Sequence, residues 1–364
     1  ARFGPDTVNV NLAPIDGELC LGTRAKKTCG PKPFVQPDFF HWFHNDRHLD
    51  SAAQHVTKSA QEAACWFCSL WKATVGSSKH VRSYRMSSLV TTELVDALVG
   101  YAREAGRAVL EIYEREDFGV TTKADESPLT EADLASHRIL MAGLRSGSEE
   151  LPILSEESEM PPYDERRQWS AYFLIDPLDG TKEFINRNGE FTVNIALIEA
   201  GVAVMGVVHV PVTGVTYIGF TGSDSRSARV IDGDDNAVPI STRSQSPSSL
   251  GVVGSRRHGS EALSAMVNRL QDEFADVEFL SMGSSLKLCL VAEGKADFYP
   301  RVAPTCEWDT AAAQAVVEAA GGCVVDDALN VLRYNQKDDI LNPHFFVFGD
   351  TDADWINRIE RIRC

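Results

Sequence analysis

The sequence predicts an α/β protein, with an α+β N-terminal half and an α/β C-terminal half. Three observations carry this. Alternating or wholly apolar runs follow one another at 171–176, 191–199, 202–210 and 215–220, as antiparallel strands do. From residue 250 onward, short apolar runs alternate with helix-length segments, the mark of an α/β unit. Between the two lies 221–249, rich in Ser, Asp, Gly and Arg, the composition of a boundary.

Taken in order, residues 1–85 hold Pro, Lys, His and Trp without a sustained period. A helix over 51–72, around Ala52, Val56, Ala60, Ala63 and Trp66, is the one regular element read there. Met86-Ser87-Ser88 resembles a natural protein start, so 1–85 are expected to be a poorly ordered extension outside the working domains. Ser87-Ser88 is expected to cap a helix carrying Leu89, Leu94, Leu98, Ala102, Ala108 and Ile112 on one face. Thr130, three residues before Asp133, marks the start of a helix over 131–144. A short strand, 152–155, ends at Glu156-Glu157. In the C-terminal half the expected strands are 250–254, 277–282, 296–299, 323–325 and 345–348. The expected helices there are 260–273, 284–293, 310–320 and 352–362. The two domains are therefore read as 86–230 and 231–364.

Composition excludes several classes. A chain of 364 residues with formal charge −17 is unsuited to a broad nucleic-acid surface, although bound cations can reverse the sign locally. No uncharged apolar run reaches the roughly 18 residues of a membrane span. Residues 1–5 do not open a secretory signal, and the expected location is cytoplasmic. Cys289, Cys306, Cys323 and Cys364 then read as reduced thiols. Cys20, Cys29, Cys65 and Cys68, with His41, His44 and His48, could in principle hold zinc, but a single CxxC with irregular companions lacks the paired units of a zinc site.

The chemistry concentrates in Asp176-Pro177-Leu178-Asp179-Gly180-Thr181, directly after the apolar run 171–175. Carboxylates gathered at a strand end are costly unless a cation sits between them. Hard divalent ions such as Mg²⁺ answer that need through oxygen ligands. A helix opening beside them would aim N–H groups at an anion, most plausibly a phosphate. Acidic groups recur at Asp133, Glu156 and Asp309. Alone, each has an ordinary reading: a helix start for Asp133, a solvated loop for Glu156, an N-cap for Asp309.

Together they are specific. "LSEES" at 154–158, "DPLDGT" at 176–181 and "WDTAAAQAVVEAAGG" at 308–322 resemble, in order and spacing, the lithium-sensitive, magnesium-dependent phosphatase superfamily that contains inositol monophosphatase. "SPLTEAD" at 127–133, "DGTKEFI" at 179–185, "GSSLKLCLVAEGKADFYPR" at 283–301 and "ILNP" at 340–343 resemble its 3′(2′),5′-bisphosphate nucleotidase branch. The resemblance implies a layered αβαβα sandwich of the inositol monophosphatase and fructose-bisphosphatase type. It implies two or three Mg²⁺ ions held by Glu156, Asp176, Asp179, Asp309 and the Leu178 carbonyl. Gly180 and Thr181 would offer N–H groups to the scissile phosphate. Thr181, held by Asp133, would position and deprotonate the attacking water, with Glu156 beside it. The reaction implied is hydrolysis of adenosine 3′,5′-bisphosphate, a by-product of sulfate activation, to AMP and phosphate, inhibited by Li⁺.

Substrate contacts are expected from the metal residues and from Ser255 and His258, in a loop with Arg256 and Arg257, though a solvated loop reads equally well. Ser284, Ser285 and Lys287 at a helix start would meet the second phosphate, or simply cap the helix and leave the lysine exposed. Glu307 adds a negative charge near that phosphate. An inositol or sugar phosphate is the alternative substrate, and a non-catalytic metal or nucleotide binder the alternative class. A monomer or a homodimer fits, as does peripheral association with the cytoplasmic face of the inner membrane.

Overall fold

The computed structural model describes residues 87–117, 119–122, 128–147, 151–221, 226–255 and 261–363. The helix expected at 51–72, the cysteine and histidine cluster before residue 69, and His258 lie outside the described residues. Residues 83–364 form one compact unit.

Helix α1 spans Thr92–Tyr113. Its cap is Thr91, whose hydroxyl accepts from the Leu94 N–H at 3.2 Å, and not Ser87 or Ser88. Ser87 turns its hydroxyl to its own chain, at Leu89 N–H, and its own N–H to the Thr221 carbonyl. Such local bonds compete with helix formation, which leaves Leu89 exposed outside the helix. The ribbon β1 (Thr121–Thr122) and β2 (Pro128–Leu129) leads into α2 (Glu131–Gly147). Then come β3 (Ile153–Ser155), α3 (Tyr163–Arg166), β4 (Ala171–Asp179) and α4 (Thr181–Ile185). An antiparallel run follows: β5 (Thr192–Glu199), β6 (Val202–Val210), β7 (Val215–Thr221), β8 (Arg226–Ile231) and β9 (Ala237–Pro239).

The first sheet orders these strands β3 through β9, with β3 parallel to β4 and the rest antiparallel. The polar stretch expected to be a boundary therefore builds two more strands, and the sheet runs to Pro239. Strand β9 is a short exposed edge and β8 beside it is mostly half-buried, so their sequence carries little apolar pattern.

The second half gives β10 (Ser249–Gly254), α5 (Glu261–Glu273), β11 (Asp276–Ser281), α6 (Leu286–Ala292) and β12 (Phe298–Arg301). A 3₁₀ turn at Glu307–Asp309 opens α7 (Ala311–Ala320), followed by β13 (Cys323–Asp326), β14 (Phe345–Phe348) and α8 (Trp355–Ile362). The second sheet has the order β11-β10-β12-β14-β13.

Burial shows why five layers form. Strands β4, β5 and β6 are buried along nearly their whole length, so both faces of the first sheet must be covered. Helices α1 and α2 cover one face through Val95, Leu98, Leu140 and Leu144. Helices α6 and α7 fill the space between the two sheets, through Leu288, Val291, Val316 and Val317 against Ala196, Val208, Tyr299 and Val347. Helices α5 and α8 cover the far face of the second sheet through Met266, Leu270, Trp355 and Ile359. The result is the expected αβαβα sandwich. Helix α7 lies unusually close to the first sheet: a Cβ added at Gly206 would fall 1.9 Å from the Ala312 carbonyl oxygen, and one at Gly219 would fall 2.3 Å from Val316 Cα. Small residues on both surfaces hold the start of α7, and Asp309 just before it, at a fixed height over the sheet.

Candidate active site

Strand β4 delivers the first two carboxylates, and its irregular end explains their spacing. Residues three apart on a regular strand face opposite sides. Here Asp176 pairs with Asn194 and Asp179 with Thr192, two positions of one face of β5, because the register slips between them. The extra residue is a bulge at Pro177-Leu178, and Pro177 has no N–H to lose from the ladder. The bulge turns an i,i+3 pair into neighbours on one face. Leu178 sends its side chain into a core with Ile112, Ala132, Phe184 and Phe191, which leaves its carbonyl as the group near the site. Gly180 then turns the chain at φ +93°, where a side chain would press on the Glu190 carbonyl at 3.1 Å.

Oxygens of Asp176, Asp179 and Asp309 lie within 4.8 Å of one another. Each carboxylate has an oxygen fixed by a protein donor. Asp176 accepts from Leu178 N–H at 3.0 Å, Asp179 from Ser285 N–H at 2.6 Å, and Asp309 from Cys306 N–H at 2.8 Å. Glu156, from the turn after β3, stands close enough to Asp176 for its charge to act on that carboxyl. Burial, then the charges of Glu156, Asp179 and Asp309, push the Asp176 carboxyl well above its ordinary range. Burial, then Asp179 and Glu156, do the same for Asp309. Carboxylates gathered this closely suit a hard divalent ion.

A pH dependence follows with a definite sign. An acid whose folded pKa is raised binds protons more tightly folded than unfolded, so its ionisation opposes folding as pH rises past its unfolded value. Asp176 and Asp309 thus weaken the metal-free protein increasingly above the ordinary carboxylate range, near 3.8. Divalent ions bind the deprotonated form, so the rise in Tm on adding Mg²⁺ is expected to be larger at about pH 8 than at about pH 6. Thermal unfolding with and without Mg²⁺ at the two pH values measures this; an equal or smaller rise at the higher pH contradicts it.

Thr181, the first residue of α4, places its hydroxyl 3.3 Å from Asp133 Oδ1 and 3.3 Å from the Leu178 carbonyl. The other Asp133 oxygen accepts from Thr130, N–H at 2.8 Å and hydroxyl at 2.6 Å, while Thr130 Oγ1 accepts from Ala132 N–H. The bonds to Thr130 are those of a helix start, and the other Asp133 oxygen meets Thr181, the residue expected to act with it. Asp133 is 1% exposed, whereas Thr181 is half-buried.

The residues expected to contact substrate are partly brought together. Ser284 sits in the left-handed region at φ +43°, and its hydroxyl is buried without a partner. Lys287 is buried, with its ammonium on the Ser284 carbonyl at 2.6 Å and 5.8 Å from the centre of the Tyr299 ring. Burial pulls it down to about 8, while the charges of Asp179, Glu183 and Asp309 hold it up. Ser255 closes β10, at the end where β10 and β11 run parallel toward Gly283-Ser284. Glu307 does not add its charge to the phosphate side as expected. It is buried, accepts the Asn335 N–H on both oxygens at 3.0 and 2.8 Å, and is raised to about 7 by burial. Asn335 in turn bonds the fully buried Arg166, so Glu307 belongs to a structural clamp.

Three polar residues near the cluster were not anticipated. Asn194 and Thr192 face Asp179, and Arg301 acts electrostatically on both Lys287 and Asp309. A signal existed for Asn194, an amide inside the otherwise apolar run Val193-Asn194-Ile195-Ala196-Leu197.

The fold and the carboxylate cluster define a class, a sandwich of the kind that carries metal-assisted phosphatases. Residues 91–347 match the inositol monophosphatase family, and the chain belongs to that family. The 3′(2′),5′-bisphosphate nucleotidase CysQ of Escherichia coli K12 is 43% identical over 259 residues, covering 70% of this chain and 99% of the relative. The CysQ of Haemophilus influenzae is 34% identical over 263 residues, covering 72% and 95%. Among solved structures, CysQ from Bacteroides thetaiotaomicron superposes with a TM-score of 0.64 at 41% identity, covering 72% of this chain and 98% of that one. An IMPase of Thermotoga maritima shares the fold at 21% identity and a TM-score of 0.58, over 74% and 98%.

Proposed function

We propose that the chain is a Mg²⁺-dependent 3′(2′),5′-bisphosphate nucleotidase that removes the 3′-phosphate of adenosine 3′,5′-bisphosphate. The observation that carries this is the three-carboxylate cluster with Thr181–Asp133 beside it, in a chain more than two-fifths identical to a nucleotidase along nearly that relative's whole length. Glu156, Asp176, Asp179, Asp309 and the Leu178 carbonyl fit two or three Mg²⁺ ions by donor type. Bound there, such ions neutralise charge on the phosphoryl group and align nucleophile with leaving oxygen.

The chain's own groups do the rest. The Gly180 and Thr181 N–H groups would orient the scissile phosphate. Thr181 Oγ1 would accept a proton from the attacking water as its own passes to Asp133 Oδ1. Lys287, whose ammonium hydrogen-bonds the Ser284 carbonyl, and the unpartnered Ser284 hydroxyl would take the second phosphate; Ser255 and His258 would lie toward the nucleoside. The second phosphate is what favours the nucleotide over an inositol monophosphate, since a buried ammonium calls for an anion.

No helix among the described residues is long and apolar enough to cross a membrane. A cytoplasmic enzyme, monomeric or homodimeric, is consistent with this, and contact with the inner membrane's cytoplasmic face stays part of the proposal. Release of phosphate from adenosine 3′,5′-bisphosphate, inositol monophosphate and fructose bisphosphate, compared side by side, tests the reading. The nucleotide is expected to be the best substrate, with activity lost on chelation and reduced by Li⁺. Preference for inositol monophosphate would overturn the substrate assignment.

A further inference from the structure

Asp179 and Asp309 reach the cluster from different layers, one from the end of β4 and the other from the turn before α7. The residue that touches both is Ser285. Its N–H and its hydroxyl lie on Asp179 Oδ2 at 2.6 and 2.7 Å, and the same hydroxyl lies 2.7 Å from the main-chain oxygen of Asp309. Asn194 Nδ2 donates to that hydroxyl at 2.8 Å. Both residues are 1% exposed. A serine hydroxyl has one proton and two lone pairs. The Asn194 donation occupies a lone pair and so turns the proton toward the two acceptors. The turn is also strained on the residue before: Ser284, which bears a side chain, is held at φ +43°. Left-handed backbone at a non-glycine residue is strained and persists where surrounding contacts dictate it. Here it accompanies the Ser285 N–H bond to Asp179.

We propose that Ser285, oriented by Asn194, is a positioning residue that fixes Asp179 relative to Asp309 and thereby sets the affinity of the pair for divalent ions. The proposal rests on the assignment of those two aspartates as metal ligands. Groups that orient a metal's ligands alter its affinity by roughly 10- to 100-fold when removed. Ser285 bonds both arms of the cluster, so its loss frees the separation between them as well as one carboxylate.

The test uses Mn²⁺ as probe, with free Mn²⁺ read by electron paramagnetic resonance in a titration of the full chain. Ser285→Ala is expected to bind Mn²⁺ about tenfold more weakly than wild type, with turnover lost at low Mn²⁺ returning as Mn²⁺ is raised. Asn194→Ala is expected to shift affinity in the same direction by less. The double variant should be no weaker than Ser285→Ala alone, because residues acting in series are not additive. Wild type that takes up no Mn²⁺ would sink the metal assignment itself. Wild type that binds, Asp179→Asn that does not, and Ser285→Ala that matches wild type overturn the role of Ser285 while leaving that assignment intact. Should Ser285→Ala fail to fold, an unchanged Mn²⁺ affinity in Asn194→Ala overturns it equally.

Discussion

Asp179→Asn is expected to lower turnover by at least about a thousandfold while making the metal-free protein more stable. The two effects have one cause. Asp179 contributes to the negative field that raises both Asp176 and Asp309. An amide of the same shape removes that charge. Its carbonyl can still accept from the Ser285 N–H and hydroxyl, now at 2.6 and 2.7 Å from Asp179 Oδ2, so the local fold keeps its bonds. What is lost is a ligand to a divalent cation, replaced by an amide that binds such ions poorly. Phosphate release measures the first effect, and thermal unfolding in chelator measures the second. The combination separates this reading from simple damage, which would lower activity and stability together. Near-normal turnover would refute the assignment of Asp179 to a metal.

The opposite signs also clarify what the sequence could and could not disclose. The block 176–181 was legible because its chemistry and its context disagree: acids do not belong at the end of a buried strand unless something uses them. The spacing of the two acids was legible only as a motif. Its reason, a bulge that puts Asp176 and Asp179 on one face, is a matter of pairing with β5 and cannot be read from β4 alone. The same holds for Ser285 and Asn194, 91 residues apart in sequence yet in direct contact. The apolar strands and the Ala-rich helix α7 were visible because burial on both sides leaves a continuous apolar run. Strands β8 and β9 were not, since half-buried and exposed strands at the end of a sheet impose no such pattern. The cap of α1 was misplaced for a local reason: Ser87, Ser88 and Thr91 are all acceptable caps, and only the bond from Ser87 N–H to Thr221 decides among them.

Gly206→Ala is expected to destabilise the protein by about 3 kcal/mol, although the same change elsewhere stabilises by several tenths. Glycine in a strand interior is ordinarily a weakness, because it fixes much backbone entropy and packs nothing. At Gly206 the single added carbon would sit 1.9 Å from the Ala312 carbonyl oxygen and 2.8 Å from Ala312 Cα. These are backbone atoms of α7, which cannot rotate away as a side chain can. The helix must lift, and it carries the packing of Val316 and Val317 between the sheets. It also carries Asp309, two residues ahead of its first turn, so divalent-ion affinity is expected to fall with stability. Gly100→Ala supplies the control. That glycine lies inside α1 with nothing within 4 Å of the added carbon, so the substitution is expected to stabilise by about 0.5–1 kcal/mol. Urea unfolding of the two variants beside wild type should move the midpoints in opposite directions. A stable Gly206→Ala with unchanged metal affinity would mean that the close seat of α7 on the sheet is not what holds Asp309 over Asp176 and Asp179.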